Sequence, residues 1–391
     1  LKVHVAAGAA TAMAPAHAGW AWDSAAGRWA VATPAPGAVL LERPLRLATL
    51  NVLHDRDHDQ RLRHADRYAA ICAELAALDA DVIGLNEVAT RLLGVVLREE
   101  WVREKYTVSA VLGDPACADL SAVRGGKAIG NVLLSRIRPV LVEHVTPSSG
   151  RRREFHTMTF ALRRSQAPEA PVVRVAVASV HLPAMPWVRE RSRAAELAGL
   201  CADLAATTRG LDAAVIMGDF NFHREAENAS IPPGWGEVPA VAALGPTWDI
   251  PGNPLISHML PERHLYNGFG FGQFWPNQMR LDRVLVRGPA LDCEQSHSRL
   301  FANRPIHPDP QERTESWQEY LFPSDHFGIL VDIPLVDAAV IESESELAPP
   351  PTALPLPGEC LGRVGIGIGV AALVALLAVS GGLLPSLWPE Y

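Results

Sequence analysis

Polar residues able to move protons or hold a cation recur where apolar runs of the chain stop. Asn51 ends Leu45-Arg46-Leu47-Ala48-Thr49-Leu50, and Glu87 follows Asp81-Val82-Ile83-Gly84-Leu85-Asn86. His181 follows Ala176-Val177-Ala178-Ser179-Val180, and Asp219 and Asn221 follow Val215-Ile216-Met217-Gly218. Asp282 lies inside Leu281-Asp282-Arg283-Val284-Leu285-Val286, and Asp325-His326 precede Phe327-Gly328-Ile329-Leu330-Val331. Burying such groups unpaired costs about 1–3 kcal/mol each. Their common placement is better explained by one shared polar site at which adjacent strands end.

The residue types suit hydrolysis of a phosphate ester. A hard divalent cation such as Mg2+ takes oxygen ligands, which Glu87, Asn51 and Asp325 can supply while leaving room for substrate oxygens. Asp219 can orient or deprotonate an attacking water, and Asn221 can contact a phosphate oxygen. His181 and His326 can donate to the charge that builds on phosphorus, with Asp282 holding one imidazole in its useful tautomer. No serine or cysteine stands in a recognisable nucleophile motif, so attack by a metal-positioned water is expected over a covalent intermediate. Singly these are weak signals, because a lone His after a strand is more often structural and an Asp-His pair can merely cap a turn. The ordered set is what is specific.

Positioning such a set requires strands that end at one edge. Alternating or apolar runs predict strands at 45–51, 81–85, 129–135, 155–162, 172–180, 213–217, 280–286 and 328–333. Helices are expected at about 61–78, where Tyr68, Ile71, Cys72, Leu75 and Leu78 recur at helical spacing, and at about 187–206. Mixed strands and helices over this length, with no Gly-rich dinucleotide loop, predict a layered α/β domain at 45–336. Before it, 1–44 is an Ala/Pro/Gly-rich arm carrying Trp20, Trp22 and Trp29, read as a flexible arm with a packing staple or a small hairpin turning at Asp23 to Gly27. After it, 337–362 is an acidic, Pro-rich linker unable to bury enough apolar surface to fold alone. The run 364–384 contains no charged residue and has a length that suits a bilayer core. It predicts a single-pass transmembrane tail anchor at 363–385, with Arg363 on the domain side favouring a cytosol-facing catalytic domain.

The chain has 391 residues, is 48% hydrophobic and carries a net charge of −8, which disfavours a role in coating nucleic acid non-specifically. Its five cysteines lack Cys-x-x-Cys spacing, which argues against a zinc site or disulfide framework. A basic path through Arg124, Lys127, Arg136, Arg138 and Arg151-Arg152-Arg153 can serve nucleic acid or be ordinary solvated charge. The aromatic loop 265–275 can stack on bases, dip into lipid, or simply pack.

Leu50-Asn51-Val52, Asn86-Glu87, Ser179-Val180-His181-Leu182, Gly218-Asp219-Phe220-Asn221-Phe222, Arg280-Leu281-Asp282-Arg283-Val284 and Ser324-Asp325-His326-Phe327-Gly328 occur in an order that resembles the endonuclease/exonuclease/phosphatase (DNase I-like) superfamily. The resemblance covers residues 45 to 336. It implies a four-layer α/β sandwich, two packed mixed β-sheets flanked by helices, and dependence on Mg2+ or Mn2+. By resemblance Glu87 is the principal metal ligand assisted by Asn51, Asp219 and Asn221 handle water and phosphate, His181 contacts phosphate, and His326 pairs with Asp282. Asn86 departs from the glutamine usual before the glutamate. Thr247-Trp248-Asp249 with Asn253, and Arg283 after Asp282, resemble the 5′-tyrosyl-DNA phosphodiesterase branch, a DNA-repair nuclease class, and imply substrate contacts from Thr247, Trp248 and Arg283. The alternative is a membrane-associated phospholipid phosphodiesterase of the neutral sphingomyelinase type. The substrate is accordingly expected to be a nucleic acid or its tyrosyl adduct, or else a phospholipid.

Overall fold

The structure is a computed structural model that describes residues 17–55, 62–112, 129–145, 155–167, 170–184, 190–207, 210–259 and 276–336. The chain divides into two units, Leu1–Glu342 and Ser343–Tyr391, and every described element belongs to the first. The expected linker and tail anchor, the aromatic loop, and Arg124, Lys127 and Arg151 to Arg153 lie outside the described residues. Among the described residues no helix is long and apolar enough to cross a membrane.

The chain begins with β1 (Trp20–Asp23), β2 (Arg28–Val31), β3 (Val39–Leu40) and β4 (Leu45–Asn51), followed by α1 (His64–Ala77) and β5 (Val82–Ala89). Next come α2 (Thr90–Val96), α3 (Glu100–Lys105), β6 (Thr107–Val108), β7 (Ile129–Ser135), β8 (Leu141–Val145) and β9 (Phe155–Arg163). β10 (Val173–His181), α4 (Glu190–Thr207), β11 (Ala213–Asp219), β12 (Gly236–Glu237) and α5 (Pro239–Ala242) follow. The last elements are β13 (Trp248–Asp249), α6 (Pro254–Met259), β14 (Gln278–Met279), β15 (Asp282–Arg287), β16 (His297–Phe301) and β17 (Gly328–Ile333).

Two large mixed sheets carry the fold. One runs β16-β17-β4-β5-β7-β6-β1-β2, and the other runs β12-β15-β11-β10-β9-β3 with β8 also on β9. The hairpin β1–β2 pairs Trp22 with Trp29 and extends the first sheet beside β6, so the tryptophan arm is part of a sheet edge. Strand β17 pairs antiparallel with β4, Ile329 opposite Thr49, joining early and late segments of the domain as the second and third strands of that sheet.

The period-2 alternation of the strands decides what faces what. On β4, Leu45 and Leu47 enter the core between the sheets with Val82, Leu133, Val175, Val177, Val215, Met217, Val284 and Val331. The intervening Ala48 and Leu50 face outward onto α1 and α2, against Ile71, Leu75, Leu92 and Leu93. On the second sheet Ala178, Val180, Ala214 and Ile216 face α4 at Leu197, Leu200 and Leu204. Helix, sheet, sheet, helix is therefore the layering, as the resemblance implies. Continued by the same alternation, the inward positions become polar at one end of the strands: Thr49 and Asn51 on β4, Asn86 on β5, Ser179 and His181 on β10, Asp219 on β11. The parallel pairing of β10 with β11 sets His181 opposite Asp219, and antiparallel β15 sets Asp282 opposite Asp219 on its other side. Parallel β4 and β5 set Asn51 beside Asn86 in the facing sheet.

Candidate active site

The inter-sheet core thus ends in a polar corner, and local backbone irregularities aim the side chains into it. The β5–β7 register shifts between Leu85 and Val88, so Asn86-Glu87 forms a bulge, and Glu87 takes the left-handed conformation at φ 59°. Simple alternation would send Glu87 outward, and a bulge of this kind re-aims a side chain. Asn221 at φ 51° and Leu53 at φ 54° are likewise left-handed just beyond β11 and β4. Such conformations cost about 1–3 kcal/mol for a residue with a Cβ and are tolerated where the surroundings over-determine them. Gly218 has a different reason: a Cβ there would lie 2.0 Å from the Val180 carbonyl oxygen and 2.9 Å from Asn86 Oδ1.

Asn86 is the fastener between the sheets. Its Oδ1 accepts from the Asp219 N–H at 3.0 Å, and its Nδ2 donates to Asn131 Oδ1 at 2.8 Å and Ser179 Oγ at 3.1 Å. The departure noted in the sequence is therefore a fully engaged residue that holds Asp219 in place.

The site has two poles. At the first, Glu87 Oε2 accepts from the His54 N–H at 3.2 Å and is in close contact with His54 Nδ1, while Oε1 lies 3.7 Å from His181 Nε2. Burial alone would raise the Glu87 pKa, but His54 and His181 outweigh it and hold the carboxyl well below its usual range. Asp325 is near enough to feel the Glu87 charge. Burial pushes its carboxyl up and Glu87 adds to the shift, while His326 and Arg67 oppose it. Ser324 Oγ donates to the Asn51 carbonyl at 2.6 Å and fixes this segment to the end of β4.

At the second pole, Asp219 Oδ1 accepts from the Asn221 N–H at 2.8 Å, and its Oδ2 accepts from Asn221 Nδ2 at 3.1 Å. His326 Nδ1 is 2.8 Å from Asp282 Oδ2, and its Nε2 is 3.9 Å from Asp219 Oδ2. Burial chiefly, with the Asp282 charge, raises the Asp219 carboxyl to about 7 against the opposing His326. For His326, burial favours the neutral ring but Asp282, Asp325 and Asp219 override it, so its pKa stands well above the usual value. Asn51 and His181 bridge the poles. Asn51 Nδ2 donates to Asp219 Oδ2 at 3.0 Å and Glu87 Oε1 at 3.3 Å, and His181 Nε2 is 3.5 Å from Asp219 Oδ2.

The donor chemistry at Glu87 fits a divalent cation: an anionic carboxylate, with Asp325 beside it, whose side chain is 18% exposed where that of Asp219 is 2%. Asp219, Asp282 and His326 also bring potential ligand atoms within 4.8 Å of one another. Within that cluster His326 is hydrogen-bonded to Asp282 and lies 3.9 Å from Asp219, an arrangement that also suits an acid–base unit, and the Glu87 pole is a second place at which a cation can bind. Asn51 sits differently from the expected oxygen ligand. Its Oδ1 already accepts from the Leu53 N–H at 3.1 Å, and its amide nitrogen faces the carboxylates.

The residues expected to touch substrate are buried and partnered. Thr247 Oγ1 accepts from the Leu281 and Asp282 N–H groups at 3.0 and 3.1 Å, which sets the start of β15. Trp248 packs with Ile250, Ile256, Met279 and Leu281. Arg283 pairs with Glu237 at 2.8 Å over the Phe222 ring. They shape the wall behind Asp282. Arg136 is also engaged, with Asp81 at 2.9 Å, and Arg138 is exposed.

Sequence reasoning missed His54 and two fully buried arginines. Arg67 of α1 donates to the Val52 and Leu53 carbonyls at 2.6 and 3.1 Å and to that of Pro323 at 3.0 Å, clamping the segments on either side of the corner. Arg193 of α4 does the same on the other sheet, donating to the Pro183 carbonyl at 3.2 Å and to Glu227 Oε2 at 2.8 Å, while Glu227 Oε1 accepts from the His223 N–H at 2.9 Å. The available signal was positional: Arg67 lies four and eight residues before Ile71 and Leu75, on the apolar stripe of its helix.

The family profile described as "Endonuclease/Exonuclease/phosphatase family" matches residues 48–326, a span that contains every residue of both poles. No curated protein matches the sequence. Among solved structures, TDP2 from Caenorhabditis elegans is 18% identical, with a TM-score of 0.50 over 74% of each chain. The human Nocturnin catalytic domain with bound sulfate is 17% identical, with a TM-score of 0.47 over 76% of this chain and 97% of that one. An endonuclease/exonuclease/phosphatase family protein from Leptotrichia buccalis is 16% identical, with a TM-score of 0.46 over 74% of this chain and 99% of that one. Fold, strand-end site and profile converge: the chain belongs to the Endonuclease/Exonuclease/phosphatase family.

Proposed function

We propose that this chain is a divalent-metal-dependent phosphodiesterase, acting on a nucleic-acid phosphodiester of the 5′-tyrosyl-DNA type. The observation that carries the chemistry is the pairing of an anionic, partly open Glu87 with a buried Asp219–His326–Asp282 unit, bridged by Asn51 and His181. A cation bound at Glu87 would polarise a phosphoryl oxygen and offset its charge. Asp219, with a pKa of about 7, is poised to take a proton from water near neutrality. Asn221 holds that carboxylate in orientation from its left-handed position. His326, kept cationic by its carboxylate neighbours, can donate through Nε2 to a phosphoryl oxygen while Asp282 fixes Nδ1. His181 faces the space between the poles and can make a second such contact. The choice of substrate rests on the sequence resemblance around Thr247-Trp248-Asp249 and Arg283.

The test offers the full chain a 5′-phosphotyrosyl oligonucleotide and sphingomyelin vesicles in parallel, with Mg2+, with Mn2+ and with EDTA. Cleavage of the oligonucleotide is expected, abolished by EDTA and by Glu87→Ala or Asp219→Ala. Activity that survives Glu87→Ala would refute the chemistry. Turnover of the lipid alone would replace the substrate and make the expected tail anchor the means of reaching it.

A further inference from the structure

The turn after β4 is built at some cost, and what it accomplishes is to lay one imidazole on Glu87. Leu53 occupies the left-handed region at φ 54°, a conformation that suits glycine and strains leucine. Three contacts hold it there: Asn51 Oδ1 accepts from the Leu53 N–H at 3.1 Å, and Arg67 Nη2 donates to the Val52 and Leu53 carbonyls at 2.6 and 3.1 Å. The reversed chain then delivers both the backbone N–H and the ring Nδ1 of His54 to the same oxygen, Glu87 Oε2. The His54 side chain is 9% exposed.

Beside the Glu87 carboxylate the nearest side-chain donor atom is the His54 ring nitrogen, where Asn51 offers only its amide group. Asn51 turns its amide nitrogen toward Glu87 and spends its oxygen on Leu53. Mg2+ favours oxygen donors and water, whereas imidazole suits first-row transition ions. Building on the phosphodiesterase reading, we propose that His54 ligates the same divalent cation as Glu87 through Nδ1, making a mixed nitrogen–oxygen site that selects Mn2+ over Mg2+. Ligation uses the Nδ1 lone pair, so the cation takes the place of the present Nδ1 contact with Glu87 and the ring hydrogen sits on Nε2. Arg67 and the left-handed Leu53 are the positioning residues that present it.

The test is binding of Mn2+ to the full chain, read by electron paramagnetic resonance and by calorimetric competition with Mg2+. Bound Mn2+ is expected to show nitrogen modulation from a directly coordinated imidazole. The modulation should vanish in His54→Ala and persist in His181→Ala. In His54→Ala the Mn2+ affinity should fall about tenfold or more, with the Mg2+ affinity changing much less, so that selectivity collapses. Mn2+ bound at Glu87 without nitrogen modulation, or equal losses for both ions in His54→Ala, would overturn the ligand assignment and leave the phosphodiesterase reading standing. No saturable binding of either ion would overturn both.

Discussion

Gly218→Ala isolates the demand that the active corner makes on the backbone. Gly218 sits at φ 140°, a region closed to side chains, on the central strand β11 immediately before Asp219. The added Cβ would stand 2.0 Å from the Val180 carbonyl oxygen and 2.9 Å from Asn86 Oδ1, so β10 and β11 must separate by roughly 1 Å to admit it. The backbone strain contributes about 1–3 kcal/mol, forced packing a similar 1–3 kcal/mol, and loss of the Asn86–Asp219 hydrogen bond about 1 kcal/mol. The expected loss of stability is therefore about 3–7 kcal/mol, measured by urea denaturation. Because His181 and Asp219 border the displaced strands, kcat should fall by about 100-fold or more wherever the variant remains folded. Gly37→Ala is the control: nothing lies within 4 Å of its added Cβ, and a change within about 0.5 kcal/mol is expected. A Gly218→Ala protein within 1 kcal/mol of wild type, or indistinguishable from Gly37→Ala, would refute the reasoning.

Other perturbations test the remaining parts. Arg193→Met strands Glu227 without its partner at 2.6 Å and should cost about 3–5 kcal/mol, with the double variant Arg193→Met/Glu227→Leu recovering a large part of that in a double-mutant cycle. Burial, reinforced by Arg193, lowers the His223 pKa to about 3, so the folded state prefers the neutral ring. Stability from this group is complete above pH 6.5 and drains as pH falls, by about 2 kcal/mol between pH 6.5 and 5. His223→Asn should flatten that part of the stability profile, and an unchanged slope would remove His223 as its source. Asp282→Asn leaves the shape of the site but takes from His326 the charge that favours its cationic form. It should lower kcat by about 100-fold to 10,000-fold with little change in melting temperature.

Much of the fold was legible because strands buried on both faces advertise themselves, and because polar residues closing such runs have nowhere to go but a shared site. Asn51, His181, Asp219 and Asp282 follow directly from the inward parity of β4, β10, β11 and β15. Glu87 breaks that parity, and only the bulge, which no periodicity announces, returns it to the corner. His54 was hidden for the same reason: it stands on a left-handed turn, where neither a period of 2 nor one of 3.6 applies. Thr247 and Trp248 were legible as belonging near the site but not as its wall, because a sequence segment carries no sign of which face it buries. Arg67 and Arg193 carry no sequence signal of their burial beyond position, because the carbonyls that satisfy them come from distant segments.

The pairing of β17 with β4 also bears on when the protein becomes active as it is made. Strand β4 of the corner is synthesised before most of the domain, but β17 and His326 follow every other described strand, so that sheet must wait with a vacant edge beside β4 while the rest of the domain is made. Pairings between such distant segments close slowly. Nascent chains should therefore pass through a long catalytically silent interval during which the unfilled edge beside β4 invites foreign strands. Late strand insertion would then be both the step that switches the enzyme on and the step at which chaperones have most to offer.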